Sequence, residues 1–216
     1  MNMQRLKNEW KYHYKKIIAL SCTILALVCL IGSGAYSLYL SYLSRQSGDT
    51  ASLYLSLYDF ALFAIAYMLI LIGNLQGTTL AYKGMLMYVF ITLFSAILAF
   101  FENGFLNFDI FWSGNFLAIV LFLLVLAFDA LIIGTGIMTY VRTAQYLRNS
   151  YANYTGLKVW CLLFAVFNTL LYGVEPLLLA INGSGISTLL LVLEPLSQVF
   201  IGWAIFFTIT RLKTEY

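Results

Sequence analysis

Four carboxylic acids lie inside long apolar runs of the sequence, and their surroundings limit what they can do. They are Asp59, Asp129, Glu175 and Glu194, and no Lys or Arg lies in the same runs to pair with them. An ionised carboxylate at the centre of a bilayer costs about 2.5–3.5 kcal/mol on insertion scales. Each acid therefore faces the protein interior, contacts water, accepts strong hydrogen bonds or stays protonated. The chemistry open to them is proton or cation binding, the polar lining of a transport path, or hydrogen bonding that only holds helices together.

The depth of these acids in their runs separates one from the other three. Asp129 lies about midway along its run, close to the small residues Ala127, Ala130, Gly134 and Gly136, which allow helices to approach closely. The other three lie roughly six to eight residues from the end of their run, which is on the order of 10 Å in a helix. We expect these three to line a cavity that opens to the outside. For Asp129, an ion-binding role and a structural role both stay open.

Both prolines of the chain directly follow one of these glutamates, as Glu175-Pro176 and Glu194-Pro195. Proline removes a backbone donor and clashes with the carbonyl four residues earlier, so both runs are expected to be interrupted. One interpretation is two kinked full-length helices. The other is a re-entrant hairpin from Pro176 to Leu193, in which each proline begins a new helix.

Tyr36, Tyr39 and Tyr42 share one helix face near the outer water boundary. Tyrosine is enriched at membrane interfaces, where it forms an aromatic belt. Membership of such a belt would account for these three tyrosines without any further role. The alternative is that Tyr36 and Tyr39 contact a transported molecule.

The sequence carries no motif of a familiar enzyme or cofactor site. It contains no GxxxxGK[ST], no HExxH and no GxSxG. The three cysteines lie inside apolar runs without metal-ligand spacing, and His13 lies among lysines. We therefore expect no catalytic residue, no metal, no cofactor and no nucleic-acid partner in this chain.

The elements that position the acids are six apolar runs. The 216 residues are 62% hydrophobic and only 10% charged, whereas a soluble domain carries about 25% charged residues. A spanning helix needs about 20 apolar residues. The sequence thus predicts an all-α polytopic membrane protein with spans at Ile17–Leu43, Leu53–Leu75, Gly84–Phe101, Asn115–Val141, Leu157–Ile181 and Ile186–Thr210.

The basic residues predict the orientation of these spans. Eleven of the twelve Lys and Arg residues flank the ends that would share one side of the membrane, and only Arg45 falls on the other side. Such residues collect on the cytoplasmic side. We expect a multi-pass protein of the plasma membrane with both termini in the cytoplasm.

The segment Met1–Lys16 precedes the first span and has an amphipathic pattern. Leu6, Trp10 and Tyr14 repeat every four residues, and Lys7, Lys11 and Lys15 form a second stripe with the same spacing. This pattern is typical of a helix that lies in the membrane interface. The division expected is an interfacial helix over residues 1–16 and a six-helix transmembrane domain over residues 17–216.

In its layout the whole chain resembles the membrane subunit of a small bacterial ABC-2-type exporter of peptides or bacteriocins. Met1–Lys16, with Glu9-Trp10-Lys11, resembles the N-terminal elbow helix of that family. Gly73–Gly84 is placed like its coupling helix, and Glu175–Pro195 like its re-entrant helices.

The resemblance implies a permease that moves a peptide-like or amphipathic substrate outward. It implies a separate P-loop ATPase chain that hydrolyses the ATP, and a second permease chain, alike or different, in a dimer. The acids, Tyr36 and Tyr39 would line the substrate path. The candidate contacts to the ATPase are Asn74, Gln76, Thr78, Thr79, Tyr82 and Lys83.

Three alternatives to an exporter come from other functional classes. A substrate-capture subunit of a vitamin-type importer has a similar length and about six spans. An immunity or sensor protein would act without an ATPase. An ion-coupled carrier would use Asp129 as its switch.

Overall fold

The computed structural model describes residues 3–45, 51–106, 116–148, 154–182 and 186–212, and six α-helices account for nearly all of them. Within these ranges the only non-helical residues are 77–79, and no β-strand is present. The predicted all-α class with six long apolar helices is confirmed. The helices are α1 Met3–Arg45, α2 Ala51–Gln76, α3 Leu80–Leu106, α4 Phe116–Arg148, α5 Tyr154–Asn182 and α6 Ile186–Leu212.

Each helix contains an apolar stretch long enough to cross a membrane. These stretches measure between 19 and 33 residues. At a rise of about 1.5 Å per residue even the shortest is close to the roughly 30 Å thickness of a hydrocarbon core. Helices α1, α3 and α4 also extend several residues beyond their predicted spans, because polar residues at a membrane boundary do not end a helix.

The helices form a closed ring in sequence order. Each packs on the next one along the chain, and α6 packs extensively on α1 to close the ring. Consecutive helices run antiparallel, so α1, α3 and α5 begin at the same end of the bundle at which α2, α4 and α6 end. We call this the basic end, because the described ends of these helices carry Lys15, Lys16, Lys83, Arg142, Arg148, Lys158 and Arg211.

Contacts around the basic end establish this arrangement. The Lys15 ammonium donates to the Thr210 carbonyl at 2.9 Å, which joins the start of α1 to the end of α6. The Tyr154 hydroxyl donates to the Ile209 carbonyl at 2.9 Å, which joins α5 to α6. The Tyr146 ring on α4 contacts the rings of both Tyr154 on α5 and Tyr82 on α3. Basic side chains placed at helix C-termini also complement the helix dipole.

The first helix continues without a break from the predicted interfacial segment into the first span. No glycine or proline occurs in α1 before Gly32, so nothing in the sequence ends a helix near residue 16. The structure therefore shows no separate elbow helix, and the position of Met1–Lys16 in the membrane interface stays a prediction.

Both proline-containing runs are continuous helices in the structure. α5 includes Pro176 and α6 includes Pro195. Of the two interpretations of these runs, the full-length helices are observed and the re-entrant hairpin is not. Pro195 leaves the carbonyl of Leu191 without its usual helical donor, and the packing of α6 on α1 and α5 maintains the helix across this position.

Candidate functional site

A cavity lies between five of the six helices, away from the basic end. Its volume is about 560 Å³. Helices α1, α2, α3, α5 and α6 contribute to its wall, and α4 does not. The lining residues are Leu30, Ser33, Gly34, Ser37, Asp59, Phe60, Phe63, Thr92, Ser95, Tyr172, Glu194, Pro195 and Gln198.

Two carboxylates from different helices line this cavity. Asp59 comes from α2 and Glu194 from α6, and both side chains are exposed. Helical periodicity places Phe63 one turn closer to the basic end than Asp59, and Gln198 one turn closer than Glu194. Each of the two helices therefore presents an acid and, one turn nearer the basic end, a second lining residue. None of the described lining residues is basic, so the cavity carries negative charge when the carboxylates are ionised.

Hydroxyl-bearing residues line the cavity beside the two carboxylates. The Ser33 hydroxyl donates to the Leu30 carbonyl of its own helix at 3.2 Å, so its free lone pairs can only accept. Ser37, Thr92 and Ser95 also line the cavity. Hydroxyl oxygens of this kind can accept hydrogen bonds from an ammonium group.

Aromatic residues form the apolar part of the wall and fix one polar group. Phe60, Phe63 and Tyr172 line the cavity. Behind them, the buried Tyr88 hydroxyl donates to the Gln198 side-chain oxygen at 2.6 Å, which holds that amide in one orientation. Rings beside carboxylates suit an organic cation, because a ring face attracts positive charge and an acid pairs with it.

Gly34 allows α1 to approach α2 at this site. A Cβ atom at position 34 would overlap the ring of Phe60, so only glycine leaves that ring its place in the wall.

The structure brings together two of the six residues predicted to lie on a substrate path. Asp59 and Glu194 share the cavity, whereas Tyr36 and Tyr39 are not among its lining residues. Glu175 lies within α5, but its side chain is outside the part of the chain that the structure describes. A substrate-path role for these residues stays a prediction.

Asp129 lies elsewhere, on α4, which packs on α3 and α5 and takes no part in the cavity wall. Its side chain is only 8% exposed. The expected close approach of α4 to its neighbours occurs at Gly136, whose added Cβ would lie 2.8 Å from the Leu93 side chain. At Gly134 the same atom would meet open space, so that glycine has no packing role.

The six predicted ATPase contacts divide into buried and exposed residues. Asn74 and Tyr82 are buried in the bundle, at 1% and 4% exposure, and their contacts are internal. Gln76, Thr78, Thr79 and Lys83 are exposed at the basic end. We therefore assign Asn74 and Tyr82 to packing, and leave the exposed four as the candidates for contact with a partner.

The connection between α2 and α3 is a three-residue turn and not a coupling helix. Gly77 adopts a φ of 67°, which favours glycine, and the Thr78 amide donates to the Gly73 carbonyl at 3.0 Å. This is the pattern of a Schellman cap, which ends α2 and lets α3 begin at Leu80.

Arg211 is a central residue of the basic end whose position the sequence did not predict. Its side chain is 1% exposed. One guanidinium nitrogen donates to the Asn74 carbonyl at 2.8 Å and lies 3.2 Å from the Asn74 side-chain oxygen. The guanidinium carbon lies 5.3 Å from the centre of the Tyr12 ring. From sequence, Arg211 indicated only orientation, because no local spacing signals its contacts with α1 and α2.

Comparison with known proteins adds no relative to this description. No protein-family model matches the chain, and neither the curated proteins nor the solved structures include a match. The cavity and the distribution of charge are therefore the features of this chain that bear on its function.

Proposed function

We propose that this chain is the membrane-embedded subunit of a transport system and that its cavity takes a cationic, amphipathic molecule. The observation that carries the proposal is the convergence of Asp59 and Glu194 on one cavity that is also lined by aromatic rings. A volume of about 560 Å³ suits a small organic molecule or the end of a peptide, since ligand pockets span about 300–1,000 Å³.

The orientation follows from the basic residues. With the basic end in the cytoplasm, both termini are cytoplasmic and the cavity faces the outer side of the plasma membrane. Lys83→Cys tests this, because Lys83 is exposed at the α2–α3 connection. We expect a membrane-impermeant maleimide to label it in inside-out vesicles and not in intact cells. Labelling from the cell exterior alone would contradict the orientation.

Binding of a cation is tested with two probes of the same shape and opposite charge, tetraphenylphosphonium and tetraphenylborate. A ligand at about 100 times its dissociation constant stabilises the protein by about 2.7 kcal/mol. We expect the phosphonium to raise the melting temperature of the purified protein in detergent, and the shift to be lost when Asp59 and Glu194 are both neutralised. An equal shift with the borate, or one that survives neutralisation, would contradict cation binding in the cavity.

The form of transport that the family resemblance implies is ATP-driven export by a dimer of permease chains with a separate P-loop ATPase. Gln76, Thr78, Thr79 and Lys83 support this form, because they are exposed side by side at the predicted cytoplasmic surface. The test is purification of the tagged chain from its native membrane. We expect an ATPase chain to co-purify, and a Lys83→Glu change to weaken its retention. Arg148→Glu, a charge reversal at the exposed end of α4, is the control.

A small-molecule capture subunit is the second candidate, and the size of the cavity favours it. Such a subunit would bind its ligand tightly without ATP. Nucleotide separates the two candidates, because ATP should change the affinity for the phosphonium only where an ATPase is attached. If no ATPase chain co-purifies and the phosphonium does not raise the melting temperature, the immunity or sensor interpretation is the one left.

A further inference from the structure

The cavity is closed toward the basic end by side chains of α1, α2 and α6. Below the lining residue Gln198, α6 presents Ile201, Ala204 and Ile205, and each is 0% exposed. Below Phe63, α2 presents Tyr67 and Ile70, which are buried to the same degree. α1 adds Ala26 below Leu30. About two helical turns of close-packed side chains therefore separate the cavity from the polar residues at the basic end.

Below this apolar layer the same three helices are joined by a set of contacts that we call the Arg211 network. It consists of Arg211 and Thr208 on α6, Asn74 on α2 and Tyr12 on α1. The Asn74 amide donates to the Thr208 hydroxyl at 2.8 Å, and that hydroxyl donates to the Ala204 carbonyl at 2.7 Å. Arg211 donates to the backbone and side-chain oxygens of Asn74 and lies over the Tyr12 ring.

The network supplies a hydrogen-bond donor from α6 to a backbone carbonyl in the last turn of α2. In a Schellman cap the amide of the first residue past the helix usually donates to a carbonyl three residues earlier, which here is Asn74. The Asn74 carbonyl instead accepts from the Arg211 guanidinium of α6. The cap of α2 is therefore completed by another helix, and moving α6 away from α2 uncovers it.

We propose that the Arg211 network is the cytoplasmic closure of the transport path, which holds the bundle in the state with its cavity open to the outside. The inference rests on the proposed function, because a closure matters only where something passes. For a molecule to leave the cavity toward the basic end, α1, α2 and α6 must separate along their shared interface. The directional contacts that resist this separation include those of Arg211 with Asn74 and Tyr12. The hydrogen bonds Asn74–Thr208 and Lys15–Thr210 join the same helices.

The test measures the opening of this interface without any ligand. Ile201→Cys places a cysteine between the cavity and the network, in a chain whose three native cysteines are replaced by alanine or serine. The labelling rate with a membrane-impermeant maleimide is measured in inside-out vesicles. We expect Arg211→Gln to raise the rate at least about tenfold, because hydrogen bonds to a charged group are lost. Arg148→Gln, which removes an exposed arginine of the same end, should leave the rate unchanged.

Asn74→Asp provides a change of the opposite sign. It puts a carboxylate where the Asn74 side-chain oxygen lies 3.2 Å from Arg211, and charge-assisted hydrogen bonds are roughly twice as strong as neutral ones. The amide donor to Thr208 is lost, so the Thr208 hydroxyl turns from the Ala204 carbonyl and donates to the new carboxylate oxygen. We expect labelling to be at least about threefold slower. If Arg211 and Asn74 only stabilised the packing of the helices, both Arg211→Gln and Asn74→Asp would be labelled faster than the unchanged network.

Three results would overturn the closure: an unchanged rate in folded Arg211→Gln, faster labelling in Asn74→Asp, or equal acceleration by Arg148→Gln. If Arg211→Gln does not fold, the slower rate expected for Asn74→Asp decides the matter alone. Since the assay contains no ligand, a failure of cation binding leaves its result intact. Conversely, cation binding with an unchanged labelling rate would refute the closure and keep the proposed function.

Discussion

Neutralising the two cavity carboxylates is the most direct test of what the cavity binds. Asp59→Asn and Glu194→Gln remove charge with almost no change in side-chain volume. The two residues come from α2 and α6, so each variant alters one wall of the cavity and leaves the other intact. A cation held between the walls should therefore lose part of its affinity in each single variant and most of it in the double variant.

The size of the cavity sets the expected magnitude. A sphere of 560 Å³ has a radius of about 5 Å, so a cation at its centre lies about that far from each carboxylate. Two unit charges 5 Å apart attract by about 0.8 kcal/mol in bulk water and by about 3 kcal/mol at an effective dielectric constant of 20. Because both carboxylates are exposed, we take about 1.4 kcal/mol for each, which corresponds to a tenfold change in affinity. The double variant should lose about a hundredfold.

The assay is equilibrium dialysis of tetraphenylphosphonium against the purified protein in detergent. Each variant is measured at about 0.01 M and at about 0.15 M salt, where the screening lengths are about 30 Å and 8 Å. The difference between wild type and double variant should shrink at the higher salt. Asp129→Asn is the matched control, since it neutralises an intramembrane acid that does not line the cavity, and its affinity should equal that of the wild type.

Two results would refute this reasoning. A double variant that binds the phosphonium as tightly as the wild type would show that the carboxylates do not face the bound cation. A loss in Asp129→Asn as large as in Asp59→Asn would show that the effect is not specific to the cavity.

The remaining predictions concern Gly84 and Gly77 of the α2–α3 pair, with Gly134 of α4 as a control. Gly84→Ala should lower the free energy of unfolding by about 1–3 kcal/mol, because its Cβ would lie 2.8 Å from the Ile70 amide nitrogen, a backbone atom that cannot turn away. Gly134→Ala, which meets open space, should be neutral or slightly stabilising, and thermal unfolding in detergent compares the two. Gly77→Ala should lower the free energy of unfolding by about 1–2 kcal/mol in the same measurement, because Gly77 has a positive φ. Gly77→Asn should lower it less, since asparagine tolerates a positive φ. Equal losses in the two variants would argue against backbone strain at the turn.

Much of the fold was predictable because a bilayer imposes a strong and simple rule. The six apolar runs had to become helices, and the helices α1 to α6 lie where the runs predicted them. The boundaries were less accurate, since the hydrocarbon sets the apolar length but does not end a helix. The interruption expected in the proline-containing runs was too strong an inference, because packing can hold a helix through a missing hydrogen bond.

The candidate site was only partly predictable from sequence. Depth in the apolar runs separated Asp129 from the other three acids, which were expected to line a cavity, and Asp59 and Glu194 do line one. Which of them converge depends on the rotation and neighbours of their helices, and these are set by contacts far apart in the chain. Gly34 against Phe60 and Tyr88 against Gln198 are examples. The substrate-path and ATPase-docking roles stay predictions.

Sequence alone determined that this protein has six helical spans, that its cations gather at one end, and that it carries acids within apolar helices. These are properties of single segments in contact with lipid or water. The tertiary structure decided that Asp59 and Glu194 share a cavity, that Asn74 and Tyr82 are buried, and that Arg211 connects α6 to α1 and α2. These depend on which faces meet, and side-chain packing between helices distant in sequence selects those faces.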